Sequence, residues 1–166
     1  MTFLAMTNER RARYCRRAAL LAVVLLFTTA CTPDREELAQ GQEPYLRFCA
    51  SCHGNEGGGK PPAFPPIAGS EWLDLGPDAV ALVVLGGLSG EIEVAGRTYR
   101  GYMPPMRQIS NEQIAELIGY IGRSWTDWES LPDAARIDEL RPLATGNRPT
   151  QGREGLEALL EQVPPE

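Results

Sequence analysis

The chain has 166 residues, with 16 basic and 22 acidic side chains and a formal net charge of −6 at pH 7. This length suits one small domain with additional segments. The first 31 residues hold five of the basic residues and one of the acids, so the remainder has a net charge near −10. Such a surface disfavours nucleic acid and favours either partners with basic patches or simple solubility.

Residues 1–30 have the pattern of an export signal. Five arginines between positions 10 and 17 form a basic segment, and about thirteen apolar or small residues follow from Ala18 to Ala30. A bilayer span takes roughly twenty apolar residues, so this run has the length of a signal. A retained N-terminal membrane anchor is the alternative. We therefore expect export to the periplasm or to the outer face of a membrane.

The signal ends at Thr28-Thr29-Ala30-Cys31, which resembles a bacterial lipoprotein signal in which Cys31 becomes the lipidated first residue. Thr28 departs from that pattern, since leucine is usual at its position. Ordinary cleavage near Ala30 is the alternative and would leave a free exported thiol, which is a chemical liability. Lipidation would tether the protein to a membrane surface. Residues 31–37 then form a polar tether.

A helix is predicted from about Arg35 to Ala50, interrupted or restarted at Pro44. It leads into Cys49-Ala50-Ser51-Cys52-His53, the C-x-x-C-H attachment signature of a c-type haem. Thiols at i and i+3 can reach two vinyl groups on one porphyrin edge, and the histidine that follows can bind the iron. His53 is the only histidine in the sequence, so the second axial ligand must be another residue type.

A zinc site and a thioredoxin-like dithiol are the other uses of such a cysteine pair. Structural zinc takes four ligands, usually from two pairs, and Cys15 and Cys31 do not form a second pair. A thioredoxin-like pair follows a strand, whereas the residues before Cys49 have a helical pattern. We therefore adopt haem attachment and expect one covalent haem c.

Three elements are predicted after the motif. Residues 54–69 are rich in glycine and proline and should form a loop. A short apolar helix runs from Ala79 to Leu85, opened by a Pro-Asp pair and closed by a Gly-Gly pair. Polar and apolar residues alternate over 91–99, which favours a small hairpin or loop that turns at Ala95-Gly96.

The last strong helix is predicted from Asn111 to Trp125. Ser110 is its predicted N-cap, with Gln113 completing a capping box, and its apolar residues share one face. The pattern weakens after this helix. Short helices are predicted over 134–140 and 155–162, with a turn-rich break at 146–152.

Outside the leader the sequence has two methionines, Met103 and Met106, both in the segment before that helix. A thioether is a soft ligand that raises the potential of haem iron relative to a second nitrogen ligand. Pro104 stiffens the backbone after Met103, which helps to hold a weak ligand. Both methionines could instead fill gaps in the core, so the residue types alone leave the choice open.

Taken in order, these motifs resemble the class I bacterial cytochromes c. Gly41, Tyr45 and Cys49 resemble the small–aromatic–cysteine spacing of the family's first helix. Leu117 and Tyr120 resemble the pair on the last helix, which crosses the first one closely at a glycine. The resemblance implies an all-α fold whose helices wrap around one covalently attached haem.

The resemblance also assigns roles to residues away from the motif. The stretch of glycine and tyrosine residues leading to Met103 resembles the family's approach to its distal ligand, which implies Met103 rather than Met106. Pro65, twelve residues after His53, resembles the proline whose carbonyl accepts a hydrogen bond from the ligand histidine. Such a bond fixes the imidazole tautomer and raises its donor strength. Trp72 and Arg100 are candidates for contact with the haem propionates.

The resemblance, which covers roughly residues 38–125, implies an electron carrier and not an enzyme in its own right. His53 and Met103 would be the axial ligands. Domains of this type also occur as modules or partners of exported dehydrogenases that use a quinone cofactor, and a terminal oxidase is a further candidate redox partner. The alternative is a ligand-binding or peroxide-reducing haem protein with a labile methionine. A haem-free thiol-redox module is the third interpretation.

We divide the chain into four parts: an export signal at 1–30, a tether at 31–37, a cytochrome c domain at 38–126 and a C-terminal extension at 127–166. The extension is longer than a minimal cytochrome requires. We expect it to pack its leucines against the domain, and a partner-specific function is the alternative.

Overall fold

The computed structural model describes residues 38–146 and 148–165, so the predicted signal, Cys31 and the tether lie outside it. The described residues form a mainly helical fold with one small sheet. Its elements in chain order are α1 Gln42–Phe48, α2 Ala50–His53, a 3-10 helix Leu73–Leu75, α3 Pro77–Gly86, β1 Leu88–Val94, β2 Arg97–Met103, α4 Asn111–Trp125, α5 Ala134–Leu140, a 3-10 helix Arg141–Ala144, β3 Thr150–Gln151 and α6 Gly152–Leu160.

Helix α1 begins at Gln42, so the prediction of a helix from Arg35 is wrong for residues 38–41. Gly41 precedes the helix in the left-handed region, with φ of 80°. Pro44 lies in the first turn, where its missing N–H is unneeded. The chain then bends at Cys49, which separates α1 from the single turn of α2.

Helices α1 and α4 cross closely, as the resemblance implied. A Cβ atom on Gly41 would lie 2.0 Å from the carbonyl oxygen of Glu116, so only glycine allows this approach. Beside the crossing, the buried ring of Tyr45 packs against Tyr120 and Trp125, each at a centroid distance of 5.3 Å. Aromatic pairs at this separation add to the stabilisation from area burial.

The predicted hairpin is present and is longer than expected. Strands β1 and β2 pair antiparallel, with Leu88 opposite Met103 at the open end. The turn is made by Ala95 and Gly96, both with positive φ (49° and 69°), which matches the right-handed twist of a two-residue hairpin. Strand β3 pairs parallel with β1 through only two residues, too short a segment to leave a sequence pattern.

The hydrophobic core is shared between the central helices and the C-terminal segment. Helix α4 begins where predicted, and the Ser110 hydroxyl accepts a hydrogen bond from the Gln113 N–H at 3.3 Å. The C-terminal segment adds Ile137, Leu140 and Leu156, each at most 1% exposed, to the same cluster. Each such side chain stabilises the fold by about 1.5–3 kcal/mol. None of the helices at residues 38–146 and 148–165 is long and apolar enough to span a bilayer.

Candidate functional site

The two thiols of the motif lie where α1 meets α2. Cys49 is buried, Cys52 is half-buried, and neither forms a disulfide. Burial first, and the nearby Cys52 second, raise the pKa of Cys49 to about 12. A reactive redox thiol has a lowered pKa that favours the thiolate. The environment of Cys49 therefore argues against a thioredoxin-like dithiol and is compatible with a thiol that is packed for attachment.

His53 is held by one hydrogen bond whose direction is fixed by chemistry. Its Nδ1 lies 2.8 Å from the carbonyl oxygen of Pro65. A carbonyl can only accept, so Nδ1 must donate. Burial lowers the pKa of His53, and the bond to Pro65 opposes that shift in part. The neutral imidazole then carries its proton on Nδ1, which leaves the Nε2 lone pair available to a metal.

The glycine- and proline-rich loop folds back on α2 and brings Pro65 to His53. Gly59 donates its N–H to the His53 carbonyl at 2.7 Å, and Ile67 donates to Gly57 at 2.7 Å. The Lys60 ammonium donates to the Ser51 carbonyl at 2.6 Å, across the turn of the motif. These bonds fix the loop from both ends.

One face of the hairpin forms the opposite wall. Side chains alternate along a strand, so Tyr99, Gly101 and Met103 share a face of β2. Their partners on β1 are Ile92, Gly90 and Leu88 in the same order. All six line a single cavity that the motif also lines. Glycines lie opposite each other in the middle of this wall, so it presents no side chain there.

The cavity has a volume of about 530 Å³ and is lined mainly by apolar side chains. Cys49, Cys52, His53, Met103 and Met106 all line it, although the two methionines come from a distant part of the chain. This volume lies within the range of small-molecule and cofactor sites. Two free thiols, a neutral imidazole and a thioether around an apolar cavity fit a covalently attached haem.

Two residues implied as propionate contacts lie at the cavity, but both already have partners. The indole N–H of Trp72 donates to the Glu93 carbonyl of β1 at 2.9 Å, so a propionate bond would require this one to break. Arg100 forms an exposed ion pair with Glu91 through its Nε. In this arrangement Trp72 supports the hairpin, and the implied propionate role stays a prediction.

Sequence reasoning missed the part that the C-terminal segment plays at the site. Leu156 of α6 is 1% exposed and lines the cavity. Its helix was predicted, but nothing in the sequence indicates which of its side chains faces the cavity. Helix α6 also begins and ends earlier than predicted, at Gly152 and Leu160.

Known proteins resemble this chain over part of its length, and the family match includes most of the residues that line the cavity. The family model for cytochrome c matches residues 38–125. Cytochrome c-552 of Thermus thermophilus is 42% identical over 93 residues, which are 54% of this chain and 70% of that protein. The cytochrome c subunit of the alcohol dehydrogenase (quinone) of Gluconacetobacter polyoxogenes is 32% identical over 89 residues, 51% of this chain and 18% of that subunit. The corresponding subunit from Gluconobacter oxydans is 29% identical over 125 residues, 74% of this chain and 25% of that subunit.

Proposed function

The chain belongs to the cytochrome c family, and we propose that it is a single-haem carrier that passes single electrons between exported or membrane-bound redox proteins. Covalently attached haem c, when bound, supplies reversible one-electron chemistry at its iron. We assign the two thioether bonds to Cys49 and Cys52. We assign the axial positions to His53 and Met103.

The observation that carries this proposal is the shared cavity. The attachment motif and Met103 are about fifty residues apart in sequence, yet they line the same apolar space. His53 contributes a neutral ring whose Nδ1–H is already engaged by Pro65. That bond holds the ring orientation and makes the other nitrogen a better donor.

Met103 is favoured over Met106 by its position on the hairpin. It ends β2 on the strand face that lines the cavity, and Pro104 restricts its backbone. Met106 also lines the cavity, but its N–H donates to the Val84 carbonyl at the end of α3. We propose that Met106 packs against α3 and the core, where a flexible thioether fills space well.

The test compares Met103→Ala with Met106→Ala in protein made with the haem-attachment machinery. Loss of a thioether ligand should lower the reduction potential, abolish the thioether-to-iron charge-transfer band of the ferric protein, and let the ferrous protein bind carbon monoxide. We expect all three changes in Met103→Ala and none in Met106→Ala.

Two results would count against the assignment. A larger effect of Met106→Ala would exchange the roles of the two methionines. Rapid carbon monoxide binding by the unsubstituted protein would instead support the alternative, a ligand-binding or peroxide-reducing haem protein with a labile methionine.

We further propose that the protein is exported and tethered at a membrane surface, through lipidated Cys31 or through a retained leader. The support is the basic and apolar pattern of residues 1–30. Mass spectrometry of the mature N-terminus tests this. A chain that begins near Cys31 without an acyl mass would eliminate the lipid anchor, and a chain that keeps residues 1–30 would favour the leader.

For partners, we propose an exported dehydrogenase that uses a quinone cofactor as the donor or a terminal oxidase as the acceptor. Cytochrome c subunits of quinone alcohol dehydrogenases are among the relatives. Phe64 and Tyr102 line the cavity and are 38% and 62% exposed, which gives its rim an apolar surface for contact. Because the chain is acidic, salt should slow reduction by a partner with a basic patch. A rate that is independent of ionic strength would contradict that steering.

A further inference from the structure

The segment that follows Met103 is held by an arginine from the C-terminal extension. This ligand loop, residues 104–110, connects β2 to α4. Arg141, directly after α5, donates from Nη1 to the Arg107 carbonyl and from Nη2 to the Ile109 carbonyl, both at 2.9 Å. Its Nε and Nη2 also donate to Oδ1 of Asn111, at 2.9 and 2.6 Å. One half-buried guanidinium therefore binds two carbonyls of the ligand loop and the first residue of α4.

The ligand loop also carries an arginine that binds the C-terminal extension. Arg107 donates from Nη2 to the Ala144 carbonyl at 3.1 Å and to the Gly146 carbonyl. Each arginine thus binds backbone carbonyls of the segment that carries the other. We call this reciprocal pair, Arg107 with Arg141, the arginine clasp.

The same C-terminal segment also contacts the other side of Met103. Thr150 donates its N–H to the Gly87 carbonyl at 3.3 Å, next to β1. Gly87 in turn lies against the ligand loop, since a Cβ there would be 2.6 Å from the Met103 carbonyl oxygen and 2.8 Å from the Pro105 nitrogen. Met103 therefore lies between two backbone segments that the extension restrains.

We propose that the arginine clasp makes the C-terminal extension a positioning device for the distal methionine. This inference rests on the proposed ligation by Met103. Hydrogen bonds from a charged donor are stronger than neutral ones, and a planar guanidinium fixes the geometry of several acceptors at once. A thioether binds iron weakly, so the freedom of its loop decides how readily another ligand replaces it. Arg107 and Arg141 act through the loop and touch no reacting atom.

The test measures imidazole binding to the ferric holoprotein in Arg141→Ala and Arg107→Ala. Imidazole must displace the methionine, so its apparent affinity reports how firmly that ligand is held. We expect imidazole affinity to rise on the order of tenfold in Arg141→Ala, in line with the loss of charge-assisted bonds. The rise should be smaller in Arg107→Ala, whose side chain is exposed.

Arg136→Ala is the matched control. Arg136 lies on α5, is 11% exposed as a side chain, and anchors the extension to α3 through an ion pair with Asp78 at 2.8 Å. It also donates to the Pro164 carbonyl at 2.8 Å, and it has no bond to the ligand loop. Its loss should lower the free energy of unfolding at least as much as the loss of Arg141, while imidazole affinity stays within about twofold of the original.

The outcomes separate this inference from the proposed ligation. If the unsubstituted protein lacks the thioether-to-iron band, the ligation by methionine fails, and the clasp hypothesis fails with it. If the band is present but Arg141→Ala and Arg107→Ala bind imidazole like the original, only the clasp is overturned. An equal rise in Arg136→Ala would also overturn it, because the effect would then be one of general stability. Arg141→Lys keeps the charge but loses the planar set of donors. Its imidazole affinity should lie between those of the original protein and Arg141→Ala.

Discussion

The attachment segment, Cys49 to His53, and the ligand loop, residues 104–110, are supported over very different distances along the chain. His53 is oriented by Pro65, twelve positions away, and Tyr45 bonds the Gly54 carbonyl nine positions away. The ligand loop depends on Arg141 and on the carbonyls of Ala144 and Gly146, which are 32 to 39 positions from their partners. The histidine side of the cavity, formed by the attachment segment, is therefore supported by residues nearby in sequence. The methionine side, formed by Met103 and the ligand loop, is supported by distant segments.

This difference implies that the two sides of the cavity lose their structure in a defined order. Local contacts can persist when the tertiary structure loosens, whereas contacts between distant segments are lost together. The ligand loop is also more exposed than the motif, since Ile109 is its one buried residue. We therefore expect acid, heat or denaturant to release the methionine side before the histidine side.

The largest effect on haem binding should come from changes on the histidine side. The double variant Cys49→Ser, Cys52→Ser removes both attachment thiols and keeps a similar side-chain volume. We expect no covalently bound haem, because hydroxyls do not form the thioether bonds. Absorbance of the protein after denaturation and gel filtration measures this directly. Haem that stays with the denatured variant would contradict the assignment of these cysteines.

Two glycines allow the two sides to be perturbed separately. Both Gly41 and Gly87 have positive φ, at 80° and 71°, and both face backbone where a Cβ would clash. Alanine at either site should lower the free energy of unfolding by roughly 2–4 kcal/mol, from the strained φ and the clash together. Chemical denaturation of the holoproteins measures this cost.

The two alanine variants should differ at the iron. Gly41 lies at the α1–α4 crossing, away from the ligand loop, so Gly41→Ala should leave imidazole affinity unchanged. Gly87 touches the Met103 carbonyl, so Gly87→Ala should shift the loop and raise that affinity severalfold. Equal imidazole binding in the two variants would show that the two sides are not independent.

The contrast between contacts near in sequence and contacts between distant segments also explains which features the sequence could predict. The motif and the hairpin turn at Ala95-Gly96 depend on short spacings or on residue types with few uses. The His53–Pro65 contact and the α1–α4 crossing at Gly41 were expected from the family resemblance. Helix α5 was also predicted with its observed limits, 134–140. A short stretch of sequence is enough to predict features of this kind.

The rest depends on the meeting of distant segments. Arginines such as Arg107 and Arg141 have no distinguishing pattern, because a long charged side chain is usually solvated. Residues 38–41 are not helical, because Gly41 adopts a left-handed conformation that allows the contact with Glu116. Strand β3 exists only because the extension runs beside β1. No local signal specifies such contacts.

The smallest effect should come from the turn of the hairpin, farthest from both sides. The Glu71 carboxylate accepts the Ala95 N–H at 2.9 and 3.2 Å, and this bond is the main reason that the pKa of Glu71 is lowered. A lowered folded-state pKa stabilises the protein above the ordinary value of 4.5, and that stabilisation is lost as pH falls through the folded pKa.

Glu71→Gln should therefore reduce the free energy of unfolding at neutral pH by less than about 1 kcal/mol, since the carboxylate is exposed. Below the folded pKa the variant and the original should converge. Urea denaturation at neutral and acidic pH checks both statements. Imidazole affinity should not change, because the turn restrains the hairpin at the end opposite Met103. A rise in affinity would mean that the hairpin transmits strain along its whole length, and that the ligand loop is held by the hairpin as well as by the arginine clasp.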